Sequence, residues 1–506
     1  MSTSLAHLPV AVLGAGPVGL AAAAELVERR QAFFILEAAG HVGANLRDYG
    51  HVRLFSPWKY DVAPAVARLL EPTGWRAPQA DALPLAREVV DHVLQPFAAL
   101  PAVASALQLR TRVVALSREG FDKVKGKGRE SVPFVVRAVR DGRPIELRAR
   151  AVIDGTGTWN TPNPVGASGL PAHGEREHAG RIHYGIPDVA GARRARYEGR
   201  KVLVVGAGHS AANALLALAG LARQAPSTRL VWSVRSPALA RVFGGGDADA
   251  LPARGALGAA LRTLRDSGGL EFVPGLRITD IHPDGDTLRV SGLDLAGEPA
   301  WIDGIDEIIC ATGQRPDLSL TAELRVKLDP WLESTEALGP LVDPNEHSCG
   351  TVRPHGHREL AHPEPGLYTV GAKSYGRAPT FLMATGFEQV RSVVAALSGD
   401  AKAADRVELD LPRTGVCSAP ASLVDAVRSR LCCPPPSPAD RVPGSCGTAA
   451  PSTQAEPARS EGCCGGPARS DASACCALDE RKKAAGESGC GCPPAVPEAP
   501  PAGEHS

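Results

Sequence analysis

Apolar positions along the chain fall into short runs separated by helical stretches. Val10, Val12 and Leu13 read as a buried strand, and a second apolar run covers Phe33–Leu36. Between them lies an alanine-rich segment of helical character, so the opening is strand, helix, strand. Leu85–Leu100 has helical spacing through Leu85, Val89, Val93, Leu94 and Phe97. Leu107–Ser117 reads as a strand. Phe134–Val139 and Ile145–Ala149 flank Asp141-Gly142, a hairpin signal. Arg150–Ile153 is another buried strand. Lys201–Val205 opens a second strand–helix–strand unit that ends in Arg229–Val234. Leu239–Gly258 reads as a loop with a glycine triplet. Leu270–Val290 alternates as antiparallel strands do, with Asp284-Gly285-Asp286 as the turn. Asp306–Gly313 and Leu367–Gly371 are strands ending in glycine, and Phe381–Leu397 is helical, with Phe387, Val390, Val393 and Val394 as its stripe. Val407–Leu411 could add a strand.

The first strand breaks at Gly14-Ala15-Gly16-Pro17-Val18-Gly19, and the second ends in Glu37. A GxGxxG turn between strand and helix, with an acid about 20 residues on, is a dinucleotide fingerprint. Gly14 permits the tight turn. Gly16 lets a pyrophosphate approach the positive helix end. Gly19 lets helix and strand pack closely. Glu37 accepts from ribose hydroxyls and repels a 2′-phosphate, which favours FAD or NAD over NADP. In the second unit, GAGHSAANALL places Gly206, Gly208 and Ala211 at the three glycine positions, with Ser210 in the same turn. Its second strand ends in Arg235 rather than an acid. An arginine there pairs with a 2′-phosphate, so this site suggests NADPH.

The chain has 506 residues and is 44% hydrophobic but only 4% aromatic. That length suits about two to four domains. Formal net charge is zero, so no global field points to nucleic acid or membrane. No run approaches the roughly 18 apolar residues of a spanning helix. MSTSLAHLP lacks the basic start and apolar core of a signal sequence, and the expected location is the cytoplasm.

Cysteine usage changes the picture. Of twelve cysteines, none precedes Cys310 and ten lie between Cys417 and Cys492. Cys432-Cys433, Cys463-Cys464 and Cys475-Cys476 are adjacent pairs, and Cys490-Gly491-Cys492 is a CxC. These eight are candidate ligands for a thiophilic metalloid or metal ion, since soft thiolates suit trivalent arsenic, zinc or Cu(I). Beyond Pro420 the chain is rich in Pro, Ala, Gly, Ser and Cys, as a disordered tail is.

Two nucleotide turns with an ATG-like motif between them resemble the two-dinucleotide flavoproteins. Within those, the chain is similar to the flavin-dependent monooxygenase family. GAGPVGL would open FAD binding and GAGHSAANALL NADPH binding. DGTGTWNTPNPVG and CATGQRP match the family's two strand-end TG motifs, and GLYTVGAKSYGRAPTFLMATGFEQVRSV its third FAD segment. EHAGRIHYGIPDV stands where the family's FxGxxxHS signature belongs, with His178 for the Phe and His183 three residues after Gly180. GAGHSAANALL, KSYGRAPTFLMATGFEQVRSV, LPRTGVCS and the cysteine-pair tail resemble the group encoded in arsenic-resistance clusters.

The resemblance implies an α/β fold of two Rossmann-like dinucleotide-binding domains. The FAD domain would take residues 1–198 and 305–400, the inserted NADPH domain 199–304, and the tail 401–506. It implies cofactor contacts at Gly14, Gly16, Gly19, Glu37, Gly155, Thr156, Gly157, Thr312, Gly313 and Gly371 for the flavin side. Gly206, Gly208, Ser210 and Arg235 would serve NADPH. Related reductases carry Gly-Asp where this chain has Gly371-Ala372. The expected partners are a small-molecule substrate and dioxygen, with no nucleic acid or membrane, in a homodimer.

No residue declares itself as catalytic acid or base. Arg53, Lys373, Tyr375 and Arg377 lie in segments that should approach the flavin ring, and His51 and His183 are further candidates. Thiol reductases of this type need a dithiol beside the flavin, and residues 1–309 contain no cysteine. Oxygen is then the default acceptor of electrons that pass from NADPH to FAD. Two rivals stay open. In one, the tail cysteines act as a redox arm of an NADPH-dependent thiol or metal-ion reductase. In the other, the chain is a metal-sequestering scaffold.

Overall fold

Strand β1, Val10–Leu13, is wholly buried and lies at the centre of a five-stranded parallel sheet. β2, Phe33–Leu36, pairs on one side, with Val10 opposite Phe33, and β7, Ala151–Asp154, on the other, with Val10 opposite Ala151. Covered on both faces, such strands are continuous apolar runs rather than alternating ones. Beyond them β16, Leu367–Thr369, pairs with β7, and β3, Leu107–Gln108, with β2. The order is β16-β7-β1-β2-β3. The computed structural model describes residues 5–237, 239–243, 249, 251–345, 352–378 and 381–409.

The helix Pro17–Glu28 starts with Pro at its first turn, where a missing N–H has no partner to lose. Ala21 to Ala24 and Leu26 are buried. Their small side chains let this helix pack on helix Met383–Leu397. There Gly386 comes so close to Val18 that a Cβ on it would stand 2.5 Å from Val18 Cγ2.

One antiparallel sheet packs on this layer. β4, Thr111–Arg118, pairs with β5, Phe134–Arg140, which pairs with β6, Arg143–Ala149. Asp141 and Gly142 both have positive φ, 45° and 78°, as a two-residue hairpin requires. The single strand expected over Leu107–Ser117 is two. Arg110 at φ 49° turns the chain from the edge of the parallel sheet into β4.

A second parallel sheet is made of β8 Ile182–Tyr184, β9 Lys201–Val205, β10 Arg229–Val234, β11 Glu271–Pro274 and β15 Glu307–Cys310. Its order is β11-β10-β9-β15-β8. β8 and β15 come from either side of the 199–304 segment. β12 Arg277–Asp284, β13 Thr287–Leu293 and β14 Pro299–Ile305 form the other antiparallel sheet. The second unit is therefore inserted between strands of the first.

The loop expected over Leu239–Gly258 contains two helices, Ala240–Phe243 and the start of Pro252–Asp266. Gly258 is the contact between them, since a Cβ there would stand 2.2 Å from the Phe243 carbonyl oxygen. Gly258, which reads as loop, serves close packing, and the glycine triplet at 244–246 lies outside the described residues. At the other end, Ala401–Asp405 is helical, with Asp400 accepting from the Ala403 N–H at 3.0 Å. It docks on the preceding helix through Ser392 Oγ, which donates to the Ala404 carbonyl at 2.7 Å. Residues 407–409 form no strand. The rest of the expected tail lies outside the described residues. Among the described residues no helix is long and apolar enough to cross a membrane.

Candidate dinucleotide sites

The three glycines of the first turn are not equivalent. Gly14, at φ 90°, would place a Cβ 2.9 Å from the Gly155 carbonyl oxygen, and Gly19 one 2.0 Å from the Gly14 carbonyl oxygen. Both are fixed by packing. A Cβ on Gly16 would meet nothing within 4 Å. No side chain caps the helix that starts there, so its first turn has no side-chain acceptor of its own, as a phosphate site requires. Glu37 is tied to this turn. Its Oε2 accepts from the Ala15 N–H and its Oε1 from the Ala39 N–H, each at 2.8 Å. A carboxylate so held keeps lone pairs for ribose hydroxyls.

Asp154, at the end of β7, is fully buried and accepts from Lys373 Nζ at 2.6 Å. Its other oxygen accepts from the Thr156 hydroxyl at 2.7 Å. Lys373, expected to approach a flavin ring, is instead 3% exposed and neutralises this acid beneath the turn. The Thr156 hydroxyl is spent within the chain, and so are the N–H groups of Gly155, which donates to the Leu13 carbonyl at 3.0 Å, and of Thr156, which donates to Asp154 Oδ1 at 3.1 Å. Gly371, at φ 69°, follows β16, and its neighbour Val370 donates to the Asp154 carbonyl at 2.9 Å. Tyr375 is buried, edge-on to Phe381 at 5.2 Å. Arg377 grips Glu333 with two hydrogen bonds of 2.7 and 2.9 Å. Arg53 is exposed and donates to the Leu83 carbonyl at 2.7 Å.

The second turn repeats the logic. A Cβ on Gly206, at φ 133°, would stand 2.2 Å from the Ala311 carbonyl oxygen, while Gly208 has nothing within 4 Å. Ala211 is buried at the helix-packing position, and Ser210 lies in the first turn of helix His209–Gln224. The Trp232 indole donates to the Gly206 carbonyl at 2.8 Å, a support the glycine pattern does not announce. Arg235 is exposed at the end of β10 and donates to the Ala167 carbonyl at 3.2 Å.

Between the turns the two chain crossings pair, Pro162 opposite Gln314. Asn163 Nδ2 donates to the Thr312 carbonyl at 3.1 Å, and Arg315 Nε donates to Asn163 Oδ1 at 2.9 Å. The Thr312 hydroxyl donates to the Asn163 carbonyl at 3.0 Å, so Thr312, like Thr156, holds the chain with its side chain. Gly313, at φ 92°, sits in the same crossing. Buried Glu175 gathers the adjoining segment, accepting from Val165 N–H at 2.9 Å, Ala172 N–H at 2.8 Å and Tyr184 OH at 2.7 Å. Phe55 meets His209, ring centres 5.3 Å apart. Trp159 lies against Tyr49 at 4.7 Å and donates to Asp48 at 3.0 Å.

His183 is pushed down to about 4 by burial, then by Arg196, Arg193 and His51. Burial also lowers His51, against the pull of Asp188. Both rings are neutral bases near pH 7. Burial raises Asp61 to about 7, with the Ser56 hydrogen bond opposing, and Asp61 Oδ2 has no partner. Cys310 is the one cysteine among the described residues. It is 2% exposed, its thiol pushed up to about 12 by burial. The described residues contain no cluster able to hold a metal ion. Cys432, Cys433, Cys463, Cys464, Cys475, Cys476, Cys490 and Cys492 lie outside them.

A family model described as an NAD(P)-binding Rossmann-like domain matches residues 12–75. No curated protein matches the chain. Among solved structures, the chain is similar to the bacillithiol disulfide reductase Bdr of Bacillus cereus, with a TM-score of 0.56 and 16% identity over 78% of this chain and 99% of that one. It is similar to the FAD-bound cadaverine monooxygenase of desferrioxamine biosynthesis from Erwinia amylovora, with a TM-score of 0.55 and 14% identity over 82% and 99%. It is also similar to the Kutzneria sp. 744 ornithine N-hydroxylase with reduced FAD, NADP+ and L-ornithine, at 0.50 and 17% over 78% and 99%. These likenesses establish the fold, that of two-domain flavoproteins.

Proposed function

We propose that the chain is an FAD-containing, NADPH-dependent monooxygenase that oxygenates a small substrate. The observation that carries this reading is the pair of nucleotide turns whose middle glycines, Gly16 and Gly208, face open space, with only the buried thiol of Cys310 among the described residues. Neighbours of the same fold include monooxygenases that hold FAD, one of them with NADP+ as well. Disulfide reductases share the fold, but a thiol route would need cysteines that the described part of this chain lacks.

The residues present fit the two cofactors. Helix Pro17–Glu28 would receive the FAD pyrophosphate at Gly16 and Glu37 its ribose, and the segments of Gly155, Gly157, Gly313 and Gly371 would border the rest. Gly208 and Ser210 would receive the NADPH pyrophosphate, and Arg235 its 2′-phosphate. When bound, FAD supplies hydride acceptance from the nicotinamide and reaction with dioxygen. The chain keeps neutral bases, His51 and His183, at the junction of the two units, and an acid, Asp61, that titrates near neutrality. An arsenical is the substrate class that the motif resemblance favours, with the tail cysteines delivering it.

Anaerobic NADPH reduction of the purified holoprotein, followed by mixing with oxygen, tests the reading. A monooxygenase bleaches with NADPH and consumes oxygen in step with substrate, and it keeps NADPH oxidation after truncation at Ala419. A reductase that uses the tail as a redox arm loses turnover on truncation. Protein that carries no FAD sinks the proposal.

A further inference from the structure

Gly371 sits in a closed hydrogen-bond circuit. Its N–H donates to Gln389 Oε1 at 2.7 Å, and its carbonyl accepts from Ser374 Oγ at 2.7 Å. Gln389 Nε2 donates to Ser374 Oγ at 2.9 Å and reaches His355 Nε2 at 2.8 Å. His355 Nδ1 lies 3.1 Å from the Arg353 carbonyl oxygen. Gln389 and Ser374 are fully buried, and His355 is 4% exposed.

Elimination assigns the hydrogens. A backbone N–H only donates, so Gln389 must present its oxygen to Gly371. Its amide NH2 therefore faces Ser374 and His355. That NH2 only donates, so His355 Nε2 must be the lone-pair nitrogen. The Arg353 carbonyl only accepts, so the proton sits on Nδ1. His355 is held as one neutral tautomer. A second proton has only Nε2 to occupy, where it would oppose the Gln389 NH2. Turning the amide over would satisfy the imidazolium but set an NH2 against the Gly371 N–H. Unturned, the amide is repelled from the ring and its hold on Gly371 is strained; turned, the Gly371 N–H loses its acceptor in a site too buried for water to replace it. Gly371 borders the first nucleotide turn, since a Cβ on it would stand 3.3 Å from Val18 Cγ2, two residues past Gly16.

We propose that His355 is a positioning residue for the flavin: as a neutral ring it orients Gln389, which holds Gly371 against the first nucleotide turn, and its protonation releases that hold. The inference rests on the reading of this turn as the FAD site. The Tyr375 ring faces His355 at 5.6 Å. Glu359, which accepts from the Gly356 N–H, and Glu388, paired with Arg391, both favour the proton. Burial outweighs them and keeps the imidazole below its ordinary value of 6.5. The loosened form therefore takes the proton more readily. The hold is complete above that value and is lost as pH falls through the lower folded one.

The test measures FAD affinity of the full-length protein between pH 5 and 8 by the fluorescence of released flavin. In the wild type the dissociation constant is flat above neutrality. Below it the constant rises toward a limit of about tenfold per pH unit, the signature of one linked proton. His355→Gln keeps an oxygen to accept from Gln389 but does not titrate, so its affinity stays near the wild-type neutral value at every pH. His355→Asn is a second amide should the longer one not fit. His355→Leu removes the acceptor and binds FAD weakly throughout. Wild-type affinity indifferent to pH, or a glutamine variant that follows the wild-type slope, overturns the proposal. Wild-type protein that binds no FAD at any pH sinks the flavin reading itself, and this one with it.

Discussion

At the scale of single residues, the buried pair Lys373–Asp154 carries the clearest stability prediction. Both side chains are at most 2% exposed. Lys373→Met leaves a carboxylate buried without its partner, which should cost roughly 3–5 kcal/mol in urea unfolding. Adding Asp154→Asn should recover much of the loss, because the pair is coupled. Asp61 gives the opposite kind of test. Its folded value is raised from 3.8 to about 7, so the folded state binds the proton more tightly than the unfolded one. Its contribution to stability is therefore greatest below the unfolded value and declines as pH rises toward 7. Asp61→Asn should melt higher than wild type at pH 8 and show no such advantage at pH 4. The glycines and Glu37 were legible in the sequence because a fingerprint keeps them within about 20 residues of one another. The Lys373 and Asp154 pair spans 219 positions, and no local pattern joins residues that far apart. The same distance hides His355, which reads in the chain as one histidine among fourteen.

At the scale of elements, each nucleotide turn separates glycines fixed by packing from one that packing leaves open, where the proposed ligand would sit. Gly16 has φ −81° and Gly208 φ −112°, values any residue adopts, and neither has an atom near its absent Cβ. Gly16→Ala should therefore melt within about 2 °C of wild type as apoprotein, since it changes no packing, yet bind FAD at least tenfold more weakly. Gly208→Ala should leave FAD in place and raise KM for NADPH. Gly19→Ala, whose methyl would overlap the Gly14 carbonyl, should fail to fold stably. An apoprotein of Gly16→Ala that unfolds early would mean that the open face is not a ligand face. Strand–helix–strand units were readable because buried parallel strands are unbroken apolar runs. The helix Pro252–Asp266 was not. Its glycines and alanines look like a loop, and only the approach of the Phe243 backbone explains Gly258. Leu85–Leu100 was readable as helical, but not its turn of π-helix at Val90–Leu94. That turn sits where Gly43 closes on Val90 and Leu94, a tertiary contact with no local trace.

At the scale of the molecule, the proposed hydride transfer requires the two nucleotide units to face each other at a fixed distance, and two chain crossings tie the units together. The insertion was legible from two glycine turns separated by TG motifs. The membership of β8 and β15 in the second sheet was not, because strands of three and four residues carry no periodicity. The crossings pair through backbone bonds, Asn163 N–H to the Gly313 carbonyl at 2.9 Å and Arg315 N–H to the Thr161 carbonyl at 3.0 Å. The Asn163 side chain adds two more, to the Thr312 carbonyl and from Arg315. Arg315 extends the tie to the Gly169 carbonyl at 3.1 Å. Asn163→Ala removes the side-chain bonds and keeps the backbone ladder, so both units should fold and bind. What it relaxes is their mutual position, on which reaction rate depends far more steeply than affinity does. Rapid-mixing reduction by NADPH without oxygen should then show a rate lower by on the order of tenfold, with dissociation constants for FAD and NADPH within about twofold of wild type. A variant that loses affinity while reducing its flavin at the wild-type rate would assign Asn163 to one cradle rather than to the relation between them.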